Sequence, residues 1–123
     1  MIKKNAFLPP EELSRLVVEG MQEKKAQDIV VLDMRKVSNS VADFFVICTG
    51  NTDTQVGAIS ESVEETVHKK DKQNPWHIEG NRNKEWVLID YVDVVAHIFQ
   101  NEKRAFFALE NLWGDAKITK IAS

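Results

Sequence analysis

The sequence predicts a mixed α+β domain (α/β in the broad sense), with helices covering a sheet. Three observations predict it. Two stretches, "ELSRLVVEGM" and "QVGAISESVEETV", repeat apolar residues at helical spacing. Four shorter stretches are dense in β-branched residues, a fifth, "PWHIEG", is a short strand candidate, and polar or glycine-containing segments punctuate them. With 123 residues, 43% hydrophobic and 28% charged, the chain suits one domain built on a single core.

Taken in order, Pro9 and Pro10 suit a helix start, and Leu13, Leu16, Val17 and Met21 then share one helical face while Glu11, Glu12, Arg15 and Glu19 lie off it. "DIVVLDM" (28–34) and "DFFVICT" (43–49) read as buried strands flanking the polar loop "RKVSNSVA". Thr52, followed three residues later by Gln55, has capping-box spacing and starts a second helix through Val56, Ile59, Val63 and Val67. That helix ends near "KKDKQNP". "PWHIEG" (75–80) reads as a short strand with proline at its first position. From Trp86 the β-branched density predicts two strands, Glu85 to Tyr91 and Val94 to Phe99, broken near Val92 and Asp93.

Asn101 can cap a last helix whose apolar face carries Ala105, Leu109 and Leu112 beside Phe106 and Trp113, with Gly114 as its stop. The final "DAKITKIAS" shows no clear periodicity. The expected organisation is an N-terminal extension over 1–10, one domain over 11–116 with a mixed five-stranded sheet flanked by helices, and a tail over 117–123.

Composition narrows the function classes. No apolar run approaches the roughly 20 residues that cross a bilayer, so a cytoplasmic protein with no membrane partner is expected. One cysteine, Cys48, allows neither an internal disulfide nor a cysteine-based zinc site. The net charge of −3 favours a basic protein partner over nucleic acid, and no basic stripe with interleaved aromatics suggests direct nucleic-acid readout.

The run "WVLIDYVDVVAHIF" (86–99) holds the ionisable residues of most interest. As a helix it would align Asp90, Asp93 and His97 like metal ligands; as one strand it would point the two aspartates to opposite faces; a turn between them removes that objection. Without a nucleophile or second histidine the carboxylates are a weak catalytic signal, and turn and strand-end roles suffice for them. Cys48, within "FFVICTG", reads as a small buried hydrophobe. "TGNTDTQ" lacks the glycines and lysine of a phosphate loop. In a strand, Trp86, Leu88 and Asp90 share one face and could present an aromatic, aliphatic and acidic stripe to a partner; a core role for Trp86 is the competing reading.

Together "DIVVLDM", "ADFFVICTGNT", "WHIEG", "WVLIDYVDVVAHIF" and "RAFFALENLWGDA" resemble, in order and spacing, the Iojap family, also called ribosomal silencing factor RsfS, over roughly residues 15 to 116. The resemblance implies a small α/β domain similar in fold to nucleotidyltransferases, with no catalysis and no cofactor. It further implies binding to the large ribosomal subunit through its ribosomal protein number fourteen, and steric prevention of subunit joining when nutrients are short. Carried over by position, Trp86, Asp90, Tyr91, Asp93 and His97 match the family pattern and would form or support a docking face, to which strand parity adds Leu88. A homodimer is left open. Val92 departs from the pattern, which usually has glycine there, and a β-branched residue resists positive φ. The rival reading is a nucleotidyltransferase-like enzyme using Asp90 and Asp93 with a metal. Such chemistry needs clustered carboxylates and a phosphate-binding turn, whereas Asp53 stands alone after "TGNT".

Overall fold

The local signals place both helices where the periodicity puts them. In the computed structural model, which describes residues 7–102 and 116–122, α1 spans Pro10–Glu23 with Pro9 as its N-cap and Glu11 and Glu12 in its first turn, where carboxylates oppose the positive helix end. Helix α2 spans Asp53–Asp71. Its cap is reciprocal: Thr52 Oγ1 accepts from the Gln55 N–H at 3.1 Å, and Gln55 Oε1 accepts from the Asn51 N–H at 2.7 Å. Lys72 closes the helix in the left-handed conformation, its N–H bonded to the His68 carbonyl at 2.9 Å.

The helices touch through Gly20. A Cβ there would lie 2.7 Å from Val63 Cα, so only glycine permits this approach, and Ser62 Oγ donates to the Gly20 carbonyl at 2.7 Å.

The strands are β1 (Gln27–Asp33), β2 (Phe44–Gly50), β3 (His77–Glu79), β4 (Trp86–Asp90), β5 (Val94–Gln100) and β6 (Lys117–Lys120), in the order β3-β4-β5-β2-β1-β6. The expected five-stranded sheet is therefore corrected to a six-stranded one. The sixth strand comes from the aperiodic tail, which pairs antiparallel with β1 (Leu32 opposite Ile118). All four residues of β6 are exposed, so it has no buried face to impose alternation on its sequence, and its lysines suit an edge strand. Strand β2 pairs parallel with β5; the other pairings are antiparallel. All seven residues of β2 are buried, as expected of a central strand apolar on both faces. The expected C-terminal helix, with Ala105, Phe106, Leu109, Leu112, Trp113 and Gly114, falls almost wholly on residues outside those described.

Strand parity sorts the sheet into two apolar layers. Beneath the helices, Phe44, Val46, Cys48, Val87, Ile89, Ala96 and Ile98 meet Leu13, Val17, Met21, Val56, Ile59 and Val63. On the opposite face Leu32, Phe45, Ile47, Val95 and Phe99 form a second cluster, against which Trp86 and Leu88 pack while partly exposed. Cys48 has no exposed surface, which agrees with its reading as a buried hydrophobe.

Candidate functional site

Strand β4 alternates as its sequence predicts: Val87 and Ile89 are buried, and Trp86, Leu88 and Asp90 are half-buried on the face away from α1 and α2. Register extends this face across the sheet. Asp90 lies opposite His77 and Leu88 opposite Glu79 on β3; Leu88 lies opposite His97 on β5. Its outer part is thus an aromatic and an aliphatic side chain with acids around them, His77 Nε2 and Glu79 Oε2 forming a 2.7 Å pair.

Trp86 is fixed from below. Its ring stacks on Phe99 with centroids 5.1 Å apart, and its indole Nε1–H donates to His97 Nδ1 at 3.0 Å. An indole nitrogen can only donate, so Nδ1 must be the unprotonated nitrogen and the His97 ring proton sits on Nε2. That Nε2 is buried and has no hydrogen-bond partner among the described residues. The ring also lies 4.9 Å from Phe45, and burial lowers its pKa to about 4, so the imidazole is neutral at physiological pH. His97 is therefore a support beneath Trp86 rather than a charged contact.

The remaining expected residues divide. The Asp90 carboxylate accepts from the Val92 N–H at 2.7 Å and so holds the β4–β5 turn. Asp93 is exposed, and its carbonyl accepts from the N–H groups of Asp43 (2.8 Å) and Phe44 (3.1 Å). Tyr91 lies on the other face, 3% exposed within the helix-covered core, and burial followed by Glu64 raises its pKa. The structure thus brings Trp86, Leu88, Asp90 and His97 to one face, leaves Asp93 at the turn, and separates Tyr91. Glu79 and His77 share the face; only the β3–β4 register reveals this, which the sequence does not carry. Val92 takes φ of +78° with an Asp93 N–H to Tyr91 carbonyl bond of 3.0 Å across it, the pattern of a positive-φ γ-turn.

Among the described residues no group of three or more His, Cys, Asp or Glu could hold a metal ion. A groove of about 330 Å³ lies on the helix side, between α1 and the β1–β6 edge. There Arg35 is committed to Asp33 at 2.7 Å and lies 4.9 Å over the Phe44 ring, and its hydrogen bond lowers the Asp33 pKa.

This sheet belongs to a known group. The family described as "Ribosomal silencing factor during starvation" matches residues 8–123. The chain belongs to the Iojap/RsfS family. A ribosomal silencing factor RsfS from Halalkalibacterium halodurans is 40% identical over 111 residues, covering 90% of this chain and 93% of that one. A crystal structure of a Chromobacterium violaceum protein has 31% identity and a TM-score of 0.82, covering 94% of this chain and 95% of that one. A mouse relative, "Mitochondrial assembly of ribosomal large subunit protein 1", is 28% identical and covers 80% of this chain and 43% of that one. The family's name implies a ribosomal partner and a regulatory rather than enzymatic role. Among the described residues of this RsfS-family chain, no helix is long and apolar enough to cross a membrane.

Proposed function

We propose that this chain is a cytoplasmic translational repressor that binds the large ribosomal subunit, through its ribosomal protein number fourteen, and blocks joining of the small subunit. Family membership supports the silencing role, and the name of the mouse relative supports the choice of the large subunit. The observation that carries the docking site is the half-exposed Trp86–Leu88–Asp90 stripe with Glu79 beside it. An aromatic anchor fixed by Phe99 and His97 enters an interface with little rotamer entropy left to lose, and its acidic surround suits a basic protein surface. Asp93 lies at the same sheet end; His97 and Tyr91 act from beneath, the first by holding Trp86 and the second by packing the hairpin. No cofactor enters this reading. The nucleotidyltransferase-like alternative needs carboxylates clustered on a metal, whereas Asp90 Oδ1 accepts from the Val92 N–H at the turn.

A subunit-joining assay tests the proposal. Large subunits preincubated with the chain and then mixed with small subunits should form fewer joined ribosomes as the chain is titrated. Unchanged joining at saturating protein contradicts it.

A further inference from the structure

One end of the sheet carries exposed apolar residues that no part of the core requires. Trp76 is 75% exposed, Val41 86% and Val92 55%. They precede β3, precede β2 and form the β4–β5 turn, which are neighbouring positions along a single rim because β3, β4, β5 and β2 are adjacent in the sheet. Backbone hydrogen bonds tie the three segments together: the Trp76 N–H to the Asp90 carbonyl at 2.8 Å, and the Asp43 N–H to the Asp93 carbonyl at 2.8 Å. Asp43, Asp90 and Asp93 interleave with them. Among the described residues, the cations on the β1 side of this end are Arg35, paired with Asp33, Lys36 on the adjoining turn, and Lys117, opposite Asp33 on β6.

The backbone at Val92 is the most telling feature. A valine at φ of +78° is strained, and here it is held by the Asp90 carboxylate while its side chain stays largely in water. Core packing does not repay that strain. A binding role does, because a rigid turn presents the apolar group already in place.

We propose that this rim of Trp76, Val92 and Val41, set among Asp43, Asp90 and Asp93, extends the docking surface and takes a basic protein surface with an apolar centre. It rests on the proposed function above, being the part of the same ribosomal interface that continues from Trp86 and Leu88 through Asp90. Acids around apolar anchors favour a Lys- and Arg-rimmed protein patch over nucleic acid, whose phosphates they would repel.

The test measures affinity for purified large subunits, thermal unfolding and self-association for the parent, Trp76→Ala, Val92→Gly, Asp43→Asn/Asp93→Asn and Trp86→Ala. Trp76→Ala should bind about tenfold more weakly with its melting temperature unchanged, since that side chain is mostly solvated. Val92→Gly should separate the two readouts: binding several-fold weaker, melting temperature equal or higher, because glycine relieves the positive φ. The Asn pair should flatten the salt dependence of binding. Rim variants that bind like the parent while Trp86→Ala loses affinity overturn the rim and leave the Trp86 face standing. Variants that alter only self-association make the rim a contact between copies and overturn it as well. A parent that binds no large subunit removes the underlying reading, and the rim with it.

Discussion

His97 sets the clearest residue-scale expectation. Its pKa falls from the ordinary 6.5 to about 4 through burial, so between those values the unfolded chain binds a proton that the folded chain does not. Stability from this residue is therefore full near pH 7 and declines as pH drops toward 4, by on the order of 3 kcal/mol in total. Asp33, whose pKa is lowered chiefly by Arg35, loses its contribution only below 3.8, and Glu64, raised by burial, acts in the opposite sense. Denaturant unfolding at pH 7 and pH 5 should show a larger loss for the parent than for His97→Leu; equal losses would contradict the buried neutral imidazole. The parity that puts Trp86, Leu88 and Asp90 together is legible in the sequence, because a strand alternates whatever surrounds it. The Trp86–His97 hydrogen bond is not, since it depends on cross-strand register; Val92 stands out in the sequence where the family pattern has glycine, but that it keeps a positive φ depends on the turn that Asp90 stabilises.

At the scale of elements, Gly20 and β6 carry the informative tests. Gly20→Ala improves intrinsic helix propensity by about 1 kcal/mol but drives a methyl against the Val63 backbone, and overpacking of that kind costs about 1–3 kcal/mol. The variant should melt lower than the parent; a higher melting temperature would mean that α1 and α2 can separate at no cost. Thr119→Pro removes a backbone N–H of the same parity as the Ile121 N–H that donates to the Ile29 carbonyl, and fixes φ, which should weaken the β1–β6 pairing and lower stability. An unchanged melting temperature would show that the sixth strand contributes nothing. Both helices were legible because periodicity and caps are local: Thr52 and Gln55 act within four residues of one another. Strand β6 was not, because "KITK" gains its order from β1, a partner far away in the chain. The same holds for the bulge where Asp28 takes φ of +50° and the β1–β2 register shifts.

At the scale of the molecule, the sheet order determines which residues can act together. The parallel β2–β5 pairing at the centre brings the 34–43 loop beside the β4–β5 hairpin, and no local pattern announces it. The acidic, half-apolar face that results should make binding to a basic partner salt-sensitive, through the association rate where the acids are exposed. Purified chain with nucleoside triphosphates and Mg²⁺ should show no turnover, because such chemistry needs clustered carboxylates and no group of three or more His, Cys, Asp or Glu among the described residues could hold a metal ion; nucleotidyl transfer lost in Asp90→Ala would reverse that. Docking of this chain on the large subunit is the proposal on which the rest depends. Its most direct test is co-sedimentation with separated large and small subunits at low and moderate salt. The chain should travel with the large subunit alone and be partly released as salt rises. Sedimentation with neither subunit, or equally with both, would contradict it.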